Sequence, residues 1–115
     1  MTEEQKWLIT RALEYVKEHY IETSEESCAR ALGVSPSYLS RVFKKGMRTS
    51  FSSHLGSVKL KEAEKLLLSS AMSVTEIAAS VGFSSSAYFI SVFKNRYHMT
   101  PARYRKLLHG EEISE

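Results

Sequence analysis

SVTEIAASVGFSSSAYFISVFKNRYHMTPARYR, residues 73 to 105, is the stretch that decides the fold. Ser73 with Glu76 three residues on is a capping box, and Val74, Ile77, Ala78 and Val81 recur at helical spacing. A short helix is predicted there, closed by Gly82, which supplies a left-handed turn. A longer helix is expected from about Ser85 to Tyr97 with Phe89, Val92 and Phe93 inward. Thr100-Pro101 then caps a last short helix through Tyr104 and Leu108, proline standing where its missing N–H costs nothing. Short helix, glycine turn and longer helix is the order of elements in a helix-turn-helix.

The same unit occurs upstream as SEESCARALGVSPSYLSRVFKKGMRTS, residues 24 to 50. An offset of 49 pairs Ser24 with Ser73, Ala29 with Ala78 and Gly33 with Gly82. Past one inserted residue an offset of 50 pairs Tyr38 with Tyr88, Phe43 with Phe93, Lys44 with Lys94 and Ser50 with Thr100. In this copy Ser24 caps a short helix with Cys28 and Leu32 inward, and Ser35-Pro36 opens the longer one on a stripe of Leu39, Val42 and Phe43. Between the copies Ser50 caps a long helix to about Ser69, with Phe51, Leu55, Val58, Ala63, Leu66 and Leu67 on its buried side. At 1.5 Å per residue it spans roughly 30 Å. Ahead of both, Thr2 with Gln5 caps a helix carrying Ile9, Ala12, Leu13, Val16 and Tyr20. The expectation is an all-α fold of seven helices. One domain holds two helix-turn-helix subdomains, about residues 5–48 and 73–108, joined by a linker helix over about 50–69.

Composition agrees with that reading. The 115 residues include only five Gly and two Pro, and 43% are apolar, which suits one globular domain of ordinary size. The longest apolar runs are a few residues, such as Leu66 to Leu68, so no membrane span is expected, and the start MTEEQKW lacks the pattern of a signal peptide. A lone Cys28 fits a reducing compartment, and a cytoplasmic location follows. At an apolar helix position Cys28 reads as a small buried hydrophobe. Trp7, Tyr38, Phe43, Tyr88, Phe89, Phe93 and Tyr104 read as core aromatics. His19, His54, His98 and His109 are scattered, with no acidic dyad and no second cysteine, so no metal, cofactor or catalytic set is expected and the chain is not read as an enzyme.

Charge is segregated. Residues 1–27 hold three Lys/Arg against seven Glu, residues 28–61 hold seven Lys/Arg and no acid, and residues 73–110 hold five basic residues against Glu76 alone. The last five residues carry three Glu. A gap of 34 residues without an acid points to a polyanionic partner. Two partners remain open at this level: duplex DNA, or an acidic protein met by a helical adaptor.

The chain resembles the AraC/XylS regulators in Ala29 to Gly33, in Ser35 and Tyr38 through Lys45, and in Ile77-Ala78, Val81-Gly82-Phe83, Tyr88-Phe89, Val92-Phe93-Lys94 and Thr100-Pro101 to Tyr104-Arg105. The likeness covers about residues 8 to 108. It implies a bacterial DNA-binding domain whose two recognition helices enter successive major grooves, contacts with RNA polymerase and activation of transcription. It also implies a sensor or receiver domain in a longer parent chain. The glycine usual after each recognition helix falls at Arg48 and His98, so either these residues turn left-handed or the helices end differently. Lys59 replaces a usual arginine, and Ser91 a frequent one.

The resulting expectations are specific. Arg41 is the candidate for guanine O6 and N7, with a phosphate contact as its alternative. Ser37 and Ser40 share its face. In the second copy Ser86, Ala87, Ile90 and Ser91 are the base-reading candidates, where Ala87 and Ile90 meet thymine methyls or pack on a neighbour. Lys44, Lys45, Arg48, Lys94 and Arg96 are expected on phosphates, helped by the capped ends under Ser35, Ser50 and Thr100. A monomer is expected, since two reading heads reside in one chain.

Overall fold

The computed structural model describes residues 1 to 109, and among these it is all-helical. In chain order the helices are α1 (Glu3–His19), α2 (Glu25–Ala31), α3 (Pro36–Met47), α4 (Phe51–Ser69), α5 (Val74–Ser80), α6 (Ser86–Tyr97) and α7 (Pro101–Leu108). The three terminal Glu read as an acidic end lie outside the described residues.

Local chemistry accounts for the boundaries. Thr2 with Gln5, Ser24 with Ser27 and Ser73 with Glu76 form reciprocal capping boxes at the starts of α1, α2 and α5. Ser73 also holds the Glu76 carboxyl below its ordinary pKa, chiefly through the backbone N–H it donates and then through its hydroxyl. Ser35 and Ser85 accept from the N–H of Tyr38 and Tyr88 at 3.2 and 3.1 Å, starting α3 and α6 at equivalent points. Gly33 (φ 73°) and Gly82 (φ 93°) make the turns between the helices of each pair. Beyond each turn the N–H of Val34 and of Phe83 donates back to Ala29 and Ala78, at 3.0 and 2.9 Å. This is the six-to-one bond expected at a glycine-closed helix end.

The chain divides into two compact units, Met1–Val58 and Lys59–Glu115, with the boundary inside α4. In the first, Leu8, Ile9, Ala12 and Val16 of α1 pack with Cys28 and Ala29 of α2, Leu39, Val42 and Phe43 of α3, and Phe51. Phe43 meets Phe51 edge-on at 5.5 Å. In the second, Leu60, Ala63, Leu67, Ile77, Ala78, Val81, Phe89, Phe93 and Pro101 are buried. Phe83, Phe89, Phe93 and Tyr104 form a run of rings spaced 5.1 to 5.7 Å apart. Each fully buried Phe, Leu, Ile or Val side chain contributes about 1.5–3 kcal/mol, so the first core draws mainly on aliphatic residues with Phe43 and Phe51, and the second adds a run of rings.

Two aromatics expected in the core lie outside it: Trp7 and Tyr88 are each 57% exposed. Phe83 and Phe89 already fill the space beside Tyr88, whose ring meets only the edge of Phe83 at 6.0 Å. Trp7 lies on the open side of α1 under the Arg11 guanidinium, 5.8 Å from its ring. Cys28 is buried, and burial followed by the charge of Glu25 pushes its thiol up to about 11.

Two buried-side cations have structural partners within the second unit. Lys59 donates to the Gly82 carbonyl at 2.8 Å and stands 5.8 Å from the Phe83 ring, tying α4 to the helix-turn-helix turn. Burial lowers its ammonium pKa. Arg105 donates from Nε to Leu67 O (2.8 Å) and from Nη1 to Met72 O (2.7 Å), and Nη2 reaches Ser70 O at 3.2 Å. It thereby caps the carbonyl end of α4, where unpaired acceptors and the negative end of the dipole favour a cation. Beside it Tyr104 donates to the Glu64 carboxylate, which also engages Tyr97. The hydrogen bond to Glu64, more than burial, pushes the Tyr104 phenol up to about 12.

Candidate nucleic-acid interface

A helix advances 100° per residue, so positions i, i+4, i+7, i+8 and i+11 share one stripe. On α3 that stripe is Ser37, Arg41, Lys44, Lys45 and the cap residue Arg48, and all five are exposed. The opposite side buries Leu39, Val42 and Phe43. Ser40 flanks the stripe and is exposed as well. The Arg41 guanidinium lies 5.1 Å from the Tyr38 ring, one turn back, an arrangement that orders the side chain without neutralising it.

On α6 the same construction gives Ala87, Ser91, Lys94, Asn95 and His98, again all exposed, opposite the buried Phe89 and Phe93. Ser86 and Ile90 are half-buried at its edge. Arg96 is exposed but stands 200° beyond Lys94, on the other side of the helix, so the structure does not bring it together with the other candidates. The hydroxyls of Ser35, Ser50 and Thr100 accept from the N–H of Tyr38, Ser53 and Arg103, so each caps its own helix.

Both recognition-type helices end in the left-handed region on a residue that is not glycine: Arg48 at φ 59° and His98 at φ 64°. Their N–H groups close onto the carbonyls of Lys44 and Lys94. Of the two endings left open by the sequence, the left-handed one is adopted. Asn95, His98 and Arg103 escaped the sequence reading. The stripe count that selected Lys44 would have found Asn95 and His98, while Arg103 joins them only through the fold.

The electrostatics suit a polyanion. Among the described residues the salt bridges involve Lys6, Arg11, His19 and Lys65, and none engages Arg41, Lys44, Lys45, Arg48 or Lys94. No Asp or Glu lies between Glu26 and Glu62. Among the described residues no group of His, Cys, Asp or Glu could hold a metal ion, and no helix is long and apolar enough to cross a membrane.

Comparison with known proteins gives the same assignment. The helix-turn-helix domain family matches residues 28–107. The C-terminal domain of AraT, a response regulator from Geobacillus stearothermophilus, is 35% identical with a TM-score of 0.81, over 94% of this chain and 88% of that one. The uncharacterized HTH-type transcriptional regulator YijO of Escherichia coli (strain K12) is 33% identical over 99 residues, 85% of this chain but 35% of YijO's length. The DNA-binding domain of AdpA, a global transcriptional factor solved in complex with a target DNA, shares the fold at a TM-score of 0.82 with 23% identity, over 89% of this chain and 93% of that one.

Proposed function

The chain belongs to the AraC-type helix-turn-helix family of transcription regulators, and on that premise we propose that it binds duplex DNA sequence-specifically with α3 and α6 as recognition helices. Each unit lays one of them in a major groove. The observation that carries this reading is the pair of matched stripes, each opposite a buried apolar row, Leu39, Val42 and Phe43 on α3 and Phe89 and Phe93 on α6, and with Arg41, Lys44, Lys45, Arg48 and Lys94 in no salt bridge among the described residues. Arg41 reads guanine through two hydrogen bonds, with Ser37 and Ser40 beside it. Ser86, Ala87, Ile90 and Ser91 read the second half of the site, the alanine and isoleucine through thymine methyls. Lys44, Lys45, Arg48 and Lys94 hold phosphates, with the backbone amides at the caps under Ser35, Ser50 and Thr100. Arg96 is outside this set because of its place on α6.

The protein acts in the cytoplasm as a monomer on one asymmetric site and activates transcription through contact with RNA polymerase. A sensor or receiver domain completes it in a longer chain. The span of 35% of YijO and the likeness to the C-terminal domain of a response regulator support that last point.

Titration of a selected and a random duplex at several salt concentrations tests the reading. Contact with about six phosphates gives a log–log slope near −5 for both, with the selected duplex bound at least 10³-fold tighter. Equal affinity for both duplexes would indicate a partner other than a DNA sequence.

A further inference from the structure

Tyr38 and Tyr88 hold the same place on α3 and α6, each donating its N–H to the capping serine, yet they meet different surroundings. Tyr38 is half-buried, and the Arg41 guanidinium one turn on lies 5.1 Å from its ring. At the matching place α6 carries Ser91, which offers the Tyr88 ring no cation. The turn beneath differs too. Val34 and Phe83 are equivalent there, each donating its N–H back to an alanine carbonyl, and the larger Phe83 takes the space beside Phe89, 5.1 Å from its ring. Tyr88 is left 57% exposed with its ring edge-on to Phe83 at 6.0 Å, and among the described residues no hydrogen bond engages its hydroxyl.

Seven residues return a helix to within about 20° and carry it about 10.5 Å along its axis, so Asn95 stands in line with Tyr88. Its carboxamide is exposed and has no hydrogen bond among the described residues. Two hydrogen-bonding side chains that carry no cation therefore run along one edge of the α6 stripe, where α3 has Tyr38 and Lys45. An α-helix with its side chains is about 10–12 Å across, and the major groove is about 12 Å wide. With Ala87 and Ser91 toward the bases, the edge that carries Tyr88 and Asn95 faces a sugar–phosphate wall.

We propose that Tyr88 and Asn95 anchor the second unit to one strand of the DNA backbone, the phenol donating to one phosphodiester oxygen and the carboxamide N–H to another further along. Tyrosine and asparagine bond phosphate without adding positive charge, so this contact displaces no counterion. The grip of α6 then includes hydrogen bonds that salt does not weaken through counterion release, whereas α3 meets the equivalent wall with Lys45. The inference rests on α6 meeting DNA, and it adds to that contact an anchor outside the basic residues.

The test is binding of the parent chain, Tyr88→Phe and Asn95→Ala to the selected and the random duplex at several salt concentrations, with Lys94→Ala as control. Tyr88→Phe removes one oxygen that has no partner in the free protein, so its urea midpoint should match the parent's and loss of fold does not confound it. A hydrogen bond to a charged group is strong enough for a change of about tenfold. Each variant should therefore bind both duplexes about tenfold more weakly with an unchanged salt slope, whereas Lys94→Ala should lower the slope by about one. Tetranitromethane should nitrate Tyr88 readily in the free protein and slowly in the complex. Parent-like binding by Tyr88→Phe or Asn95→Ala, while Lys94→Ala is weakened, overturns the proposal and leaves α6 on DNA. A loss confined to the selected duplex also overturns it, because the residue would then read a base. If Lys94→Ala binds like the parent as well, the placement of α6 falls with the proposal.

Discussion

Arg105 is the residue whose charge most invites a DNA role and whose structure denies it. Replacing it with alanine removes hydrogen bonds of 2.7, 2.8 and 3.2 Å from the guanidinium to the Met72, Leu67 and Ser70 carbonyls, and a longer one of 3.5 Å to Leu66. A hydrogen bond with one charged partner contributes about 1.5–3 kcal/mol net, but bonds sharing one side chain do not add fully. The side chain is half-buried, which lowers the figure again because water can reach part of the vacated site. About 3 kcal/mol is therefore expected, with Arg105→Lys retaining part of it because one ammonium cannot serve three acceptors in a fork. Urea unfolding followed by far-ultraviolet circular dichroism measures the loss. Hydrogen exchange locates it, with α5 to α7 amides losing protection and α1 to α3 amides keeping theirs. The salt slope of DNA binding should stay unchanged. An Arg105→Ala protein within 0.5 kcal/mol of the parent, with a slope shallower by about one, would place the guanidinium on a phosphate and refute the reasoning.

Arg48→Gly should raise stability by about 1 kcal/mol by relieving the left-handed arginine, yet weaken DNA binding and flatten its salt slope, so that thermal melts and titrations move in opposite directions. Lys94→Ala should weaken binding to all duplexes equally and lower the slope by about one, which titration of matched and mismatched sites checks. Cys28 should react with a thiol reagent only at the rate at which the first unit opens. Its folded thiol sits near 11 against an ordinary 9.0, so the folded state holds the proton more tightly. The stability this gives is fully present below pH 9 and is lost as pH climbs through about 11, and a difference in urea midpoints between parent and Cys28→Ala across that range should show it.

What could be read in the sequence was what is encoded locally. The caps at Ser24, Ser35, Ser73, Ser85 and Thr100, and the turns at Gly33 and Gly82, are each specified by a few adjacent residues. The helix boundaries follow from them. Arg48 and His98 were ambiguous because neither residue type favours the left-handed backbone that both adopt, with their N–H groups closing onto the carbonyls of Lys44 and Lys94. Arg105 bonds to carbonyls 33 to 39 residues away, and no periodicity reports such a contact. Trp7 and Tyr88 were misplaced because aromatic character was taken as burial, whereas an amphipathic ring can lie against a core and keep its polar end in water. Arg96 was grouped with Lys94 by charge, although the helical angle that separates them was already in the numbering.

The central proposal is that α3 and α6 read duplex DNA, and because Arg41 is matched by Ser91 in the second copy, the half of the site met by α3 is expected to be read more sharply. A bidentate arginine–guanine pair contributes about 1–3 kcal/mol of discrimination, more than a serine or a methyl contact. Selection of binding sites from a random duplex pool, run with the parent and with Arg41→Ala, measures this directly. The account predicts one asymmetric site whose two halves are both enriched, the sharper half containing a guanine whose preference Arg41→Ala relaxes. A pool that stays random, or a sharper half that Arg41→Ala leaves untouched, would contradict it.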